Sequence, residues 1–238
     1  MSQLAVVPPV REGPVHRSIV AVDVEGSTKR NNPAKGKLRR ILYELLERAL
    51  TAAGIGPRHL EELADRGDGV LILIRPYDDV PKTVLVGRLI PALTALLAEH
   101  NATVAEPELR MRLRAVVHAG EVHDDDWGFY GDDIDVAFRL LEAPTVKKVL
   151  RDAPEAPLAL VISEEIWAGI VRHEYVDSGP YRQRIRVTVG ERRRHGRVQR
   201  PVPARSDLPG LVARPRTPLT SGSLAVASVA GPVDRAAG

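Results

Sequence analysis

The sequence contains no cysteine, so neither a disulfide framework nor thiolate chemistry is available to it. No apolar run reads as long enough to cross a bilayer. The opening residues, Met1-Ser2-Gln3-Leu4-Ala5-Val6-Val7-Pro8-Pro9, lack the basic start and long apolar stretch of a secretory signal. These absences set the expectation of a soluble cytoplasmic protein with no membrane partner. Excess charge is also scarce, at a formal +3, although Arg182, Arg184, Arg186, Arg192, Arg193, Arg194, Arg197 and Arg200 crowd one region. No aromatic residue interleaves that cluster after Tyr181, so it offers bases nothing to stack on. Nucleic acid is therefore not expected as a partner, and the cluster reads equally as a draw for a polyphosphate or as a solvated hairpin.

What the chain does have is the balance of a globular domain: 238 residues, 44% hydrophobic and 27% charged. Residues 1–15 are punctuated by proline and read as a loose lead-in. The span 16–200 carries all the periodic segments. From Pro201 onward Pro, Ala, Gly, Ser and Thr dominate and periodicity vanishes, so a disordered tail is expected over 201–238.

The chemistry begins at Ser18-Ile19-Val20-Ala21-Val22-Asp23-Val24-Glu25-Gly26-Ser27-Thr28. Four apolar residues in succession suit a strand covered on both faces. The strand ends in a carboxylate, which is costly to half-bury without a positive partner. Small residues follow, whose N–H groups can point at an anion. About 45 residues on, Asp65-Arg66-Gly67-Asp68-Gly69 leads into Val70-Leu71-Ile72-Leu73-Ile74, a hairpin signal that puts Asp68 at a strand end. Two aspartates on neighbouring strands are the oxygen ligands that Mg²⁺ prefers.

Local signals fill in the rest. Asn31-Asn32-Pro33 marks a helix start with Asn32 as cap, and Leu38, Ile41, Leu42, Leu45, Leu46, Ala49 and Leu50 follow helical spacing. Strands are expected over 59–64 and 69–75, a second helix over 84–100, and a strand over 108–118. Residues 124–128 read as a loop, with a helix from Gly131 through Leu141. A short strand over 158–162 precedes a helix over 164–171 capped by Ser163. The last strand, 182–189, is expected to pair with the run after Gly196. This order predicts an α+β, ferredoxin-like antiparallel sheet packed with helices and extended by a C-terminal helix and β-hairpin.

Two further segments complete a resemblance. Leu113-Arg114-Ala115-Val116-Val117-His118-Ala119-Gly120-Glu121 precedes Gly131-Asp132-Asp133-Ile134-Asp135-Val136-Ala137-Phe138-Arg139-Leu140. Together with the Asp23 and Asp68 motifs, in this order, the chain resembles the catalytic domain of class III nucleotidyl cyclases, the adenylate and guanylate cyclase family, over roughly residues 16–190. The resemblance implies two Mg²⁺ or Mn²⁺ ions held by Asp23, Asp68 and the backbone carbonyl of Val24. It implies phosphates cradled by Glu25, Gly26, Ser27 and Thr28, and a transition-state arginine at Arg139. It also implies an NTP substrate and a head-to-tail homodimer, because the family composes each site from both protomers. His118 and Glu121 read as structural hydrogen-bonding residues.

Departures from the pattern matter as much. The family's ribose-positioning asparagine is Asp135 here, a carboxylate that repels a triphosphate unless neutralised or turned away. The family's late lysine falls near Val189-Gly190, where there is none. The two base-reading positions are Ala64 and Gly128, which have no side-chain donor or acceptor, so the base stays open; pyrimidine cyclases of bacterial anti-phage defence also lack the purine pair. An active cyclase is thus set against a degenerate cyclase-like domain that binds nucleotide or a partner without turnover.

Overall fold

A computed structural model describes residues 13–125 and 127–199; the lead-in up to residue 12, Asp126, Arg200 and the expected tail lie outside the described residues. Strand β1 (Val15–Val24) runs through the middle, with Ile19, Val20, Ala21 and Val22 buried in succession. It pairs antiparallel with β3 (Gly69–Ile74) on one side and β4 (Leu113–Asp125) on the other. With β2 (Leu60–Asp65) beside β3, the order β2-β3-β1-β4 is the expected ferredoxin-like core. The sheet continues through β6 (Leu158–Ser163), parallel to β4, and then a hairpin of β8 (Arg192–Val198) and β7 (Gln183–Val189). Short β5 (Gly128–Tyr130) pairs with the far end of β4.

Helices cover both faces. Val20, Val22 and Val24 point one way, into a cluster with helix α1 (Asn32–Ala52) and with a second helix that runs from α2 (Lys82–Val84) through a π-turn (Leu85–Leu89) into α3 (Ile90–Thr103). Ile19 and Ala21 point the other way, toward α4 (Asp132–Leu141) and α5 (Pro144–Asp152). This is the period-2 alternation of a strand buried on both faces. Each Leu that α1 sinks, such as Leu42 or Leu46, contributes about 1.5–3 kcal/mol, which holds the helix down more firmly than its modest propensity does.

Several boundaries differ from expectation. The cap of α1 is Asn31, whose Oδ1 accepts from Ala34 N–H at 2.9 Å, one residue earlier than Asn32. Strand β4 starts at Leu113 rather than 108. The preceding Leu109 and Met111 are buried without being in a strand, because the amide of Asn101 stands in for a strand neighbour. Its Nδ2 donates to the Met111 carbonyl (2.7 Å) and its Oδ1 accepts from Met111 N–H (2.8 Å). Asp124, Asp125 and Gly128 belong to the paired strands β4 and β5, where His123 stacks on Tyr130 at 5.2 Å. Helix α5 was not anticipated; its two buried anchors, Val146 and Leu150, are too few to announce a helix. The last hairpin turns at Gly190, with Gly196 inside β8. One helix, Lys82–Thr103, is long and apolar enough to cross a membrane by length and composition, contrary to expectation. Its Leu85, Leu89, Leu93 and Leu97 are buried in the core against α1.

Candidate active site

Asp23 and Asp68 reach one end of the sheet because the β1–β3 register sets Asp23 opposite Gly69. A Cβ at Gly69 would lie 2.3 Å from the Val22 carbonyl oxygen, so only glycine lets the strands close here. The following backbone bond, Val24 N–H to Asp68 C=O at 2.9 Å, ties the two segments together. Between them the chain turns at Gly26 (φ 67°) into a short 3-10 turn, Ser27–Lys29. The buried Ser27 hydroxyl donates to the Asp68 carboxylate. Glu25 N–H donates to the Arg112 carbonyl (2.9 Å), which narrows the expected anion cradle to Gly26, Ser27 and Thr28.

Both oxygens of Asp23 are taken up by Arg114, which donates from Nε (2.7 Å) and an Nη (2.6 Å). The two side chains are about one-sixth exposed, at 16% and 15%. Sequence reasoning quoted Arg114 only as part of a strand. The signal was present: register places it directly opposite Asp23, and a half-buried carboxylate demands such a partner. Burial pushes the Asp23 carboxyl above its ordinary range. Arg114 pulls it back through its bond and its charge, Asp68 adds a further upward push, and Lys147 of α5 opposes it. The resulting cluster is two carboxylates and two cations at the mouth of the sheet.

A cavity of about 350 Å³ opens beside Asp68 on the α1 side. Ser27, Thr28, Gly67 and Asp68 form its polar wall, Lys35 and Arg39 come from α1, and Val24, Leu38 and Leu42 are its floor. Asp23 is not part of that wall, since it points to the α4–α5 face with Arg114. Among the described residues no group of three or more His, Asp or Glu side chains is arranged to hold a metal ion. The donor types suit a hard cation: Asp68 is exposed, while both oxygens of Asp23 are held by Arg114. The residues fit a divalent ion on condition that it takes over the role of the guanidinium.

The remaining predicted residues are spread out. Asp135 and Arg139 are exposed one turn apart on α4, and among the described residues neither side chain carries an ion pair. Ala64 lies half-buried in β2 and Gly128 exposed in β5, with no side-chain group able to read a base. Val189-Gly190, where the family's lysine falls, is the tip of the β7–β8 hairpin.

His118 is fully buried on the α4-facing side of β4. Its Nε2 lies 3.2 Å from Asp133 at the start of α4, and its Nδ1 lies 3.4 Å from Glu165 of α6 (Glu164–Gly169). Burial depresses the imidazole pKa, but the bonds and charges of Asp133 and Glu165 outweigh it and hold the pKa above its ordinary value. Glu165 is pushed upward by burial, yet the bond to His118 and those to its own backbone and Ser163 bring it down to about 2. His118 thus links α4 and α6 to the sheet from a buried position.

No protein-family model matches the chain, and no curated protein matches it. Solved structures do. An adenylate/guanylate cyclase/hydrolase from Silicibacter pomeroyi aligns over 80% of this chain and 99% of its own, with a TM-score of 0.57 at 16% identity. A guanylyl cyclase aligns over 79% of this chain and 94% of its own, with a TM-score of 0.55 at 16% identity. A bacterial light-regulated adenylyl cyclase aligns over 79% and 91%, with a TM-score of 0.52 at 15% identity. The fold is that of the adenylate and guanylate cyclase domains, in a divergent sequence.

Proposed function

We propose that the chain is a cytoplasmic nucleotidyl cyclase that converts an NTP to a 3′,5′-cyclic NMP and pyrophosphate at the interface of a homodimer. The observation that carries this reading is the joining of Asp23 and Asp68 across the β1–β3 ends, with the Gly26-Ser27-Thr28 turn between them. In the reaction the ribose 3′ oxygen bonds to the α-phosphorus and the bond from that phosphorus to the bridging oxygen breaks. Pyrophosphate leaves with the electron pair, and the hydroxyl proton passes to water. Two Mg²⁺ or Mn²⁺ ions, held by Asp23, Asp68 and the Val24 carbonyl, would ease ionisation of the hydroxyl and offset phosphate charge.

The chain's own groups do the positioning. Gly26, Ser27 and Thr28 present N–H donors, and Thr28 its hydroxyl, to the phosphates, while the Ser27 hydroxyl orients Asp68. Arg114 neutralises Asp23 while the site is without nucleotide. Arg139, exposed on α4, serves the partner protomer's site, where a fixed cation meets charge developing on the transferred phosphorus. Asp135 beside it takes the ribose-facing position.

A second reading, a cyclase-like domain that binds nucleotide or a partner without turnover, is favoured by the closed Asp23–Arg114 pair. One experiment separates the two. Purified protein is incubated separately with ATP, GTP, CTP and UTP, with Mn²⁺ and then Mg²⁺, and cyclic products are read by mass spectrometry. The expected result is one cyclic nucleotide, lost in Asp23→Ala and in Asp68→Ala. Turnover unchanged in both variants would sink the metal assignment. No product from any NTP, with nucleotide still protecting against heat, moves the protein to the second reading.

A further inference from the structure

We propose that Lys35 contacts the terminal phosphate of the nucleotide from α1 of the same protomer, doing the work of the lysine missing at Val189-Gly190; this rests on the nucleotide-site reading above. The phosphate turn and Asp68 form one wall of the 350 Å³ cavity, and α1 forms the facing wall. Two cations reach it from that wall, Lys35 and Arg39, spaced four residues apart and so on one helix face. They are not equivalent. Arg39 is already engaged, with both carboxylate oxygens of Asp65 and with the Gly67 carbonyl at 3.2 Å. It holds the β2–β3 turn in place. The Lys35 ammonium has no hydrogen bond or ion pair among the described residues, so its charge reaches an incoming anion without any existing pair being broken.

The alternative source of positive charge is the arginine cluster of the β7–β8 hairpin. In the sheet order, β8 is three strands from β1, on the order of 15 Å at the usual strand spacing. Arg197 of that hairpin is further occupied over the ring of Trp167 at 3.8 Å. Among the described residues that line the cavity, the cation left uncommitted is therefore Lys35. An ammonium on a flexible stem suits a terminal phosphate, which needs a point charge more than a planar fork. It would also offset the carboxylate of Asp68 on the opposite wall, which otherwise repels that phosphate.

The test is calorimetric titration of the full chain with inorganic tripolyphosphate and, separately, with the NTP it binds, both with Mg²⁺. Wild type is compared with Lys35→Gln, Lys35→Arg and Lys37→Gln, the last being an exposed cation of the same helix outside the cavity. Losing one charge-assisted contact predicts about tenfold weaker binding of both ligands by Lys35→Gln. Substantial recovery is expected in Lys35→Arg and no change in Lys37→Gln. All four proteins should melt at the same temperature, since Lys35 is exposed. Wild-type binding of tripolyphosphate that Lys35→Gln leaves intact overturns the Lys35 assignment and spares the nucleotide site. Binding of neither ligand by wild type overturns the nucleotide-site reading itself.

Discussion

Strand β4 carries two basic side chains four residues apart on the same face, Arg114 and His118, and their surroundings differ in kind. His118 is at 0% exposure and joins Asp133 of α4 to Glu165 of α6, so it fastens two helices to the middle of the sheet. Arg114 lies at the sheet's open end and has a single carboxylate partner, Asp23, with Asp68, Lys147 and a cavity nearby. One cluster is built around a fully buried imidazole that ties two helices to the sheet, although its Glu165 carboxylate is itself 46% exposed. The other is closed by one long, flexible side chain. The proposed function draws on both: a fixed frame, and a sheet end whose charges a ligand could engage.

The frame can be broken first. Gly120 shows how tightly it is made, since a Cβ there would lie 2.1 Å from an Asp133 oxygen. The same Asp133 oxygen accepts from Glu121 N–H at 2.7 Å. His118→Ala is expected to cost about 3 kcal/mol, because it leaves two carboxylates without their imidazole partner and opens a cavity; urea unfolding at pH 6 measures it. The pH dependence is distinctive. His118 has a raised pKa, so its stabilisation is complete below the unfolded value of about 6.5 and is lost as pH climbs through the folded value. Glu165, at about 2 in the fold against an ordinary 4.5, stabilises above 4.5 and loses that contribution as pH falls toward 2. Between about pH 4.5 and 6.5 both contributions are present. His118→Gln should flatten the alkaline side of a plot of melting temperature against pH; an unchanged alkaline slope would mean the imidazole is neutral in the fold.

The mouth should respond more weakly and with the opposite pH trend. Arg114→Met strands Asp23 at 16% side-chain exposure. The expected loss is about 2 kcal/mol at pH 7, toward the lower side of broken buried pairs, because Asp68 and Lys147 keep the site partly open to water. Without the guanidinium, the already raised carboxyl pKa of Asp23 rises further. A raised carboxyl pKa stabilises the fold only where the group is protonated, fully below the unfolded value of about 3.8, and that stabilisation fades as pH climbs through the folded value. Arg114→Met should therefore recover toward wild type on acidification from pH 7 to pH 4.5, measured by urea unfolding at both values. A penalty of the same size at the two values would show that Asp23 stays ionised without its partner.

The difference between these clusters also explains what could be read in the sequence. The ferredoxin-like order, the central strand and the positions of Asp23 and Asp68 were legible because they rest on local pattern: four consecutive apolar residues, a Gly-Asp-Gly turn, helical leucine spacing. The partners were not. Arg114 meets Asp23 only through the register of two strands separated by about 90 residues, and Glu165 meets His118 only when α6 folds over β6. Asn101 replacing a strand neighbour for Met111, and α5 with its two anchors, left no periodic trace at all. Base-reading positions Ala64 and Gly128 stayed uninformative, since a side chain without donors carries no chemistry to find.

The smallest expected effect on stability sharpens the contrast most. Arg39 holds Asp65 and Gly67 of the turn that presents Asp68, but the pair is 40% and 45% exposed. Exposed pairs are largely screened by water, so Arg39→Met should lower the unfolding free energy less than either of the other two variants. Its geometric effect is larger than its energy. The β2–β3 turn fixes where Asp68 stands relative to Ser27, and if Asp68 ligates a metal as proposed, its misplacement costs far more in turnover than in folding. If the mouth is the working end of the molecule, Arg39→Met should melt within about 2–4 °C of wild type and still lose at least tenfold in cyclic-nucleotide formation or nucleotide affinity. A variant that loses stability and keeps its nucleotide chemistry would place Arg39 with the frame, and the division between a fixed interior and an exchangeable mouth would no longer hold at α1.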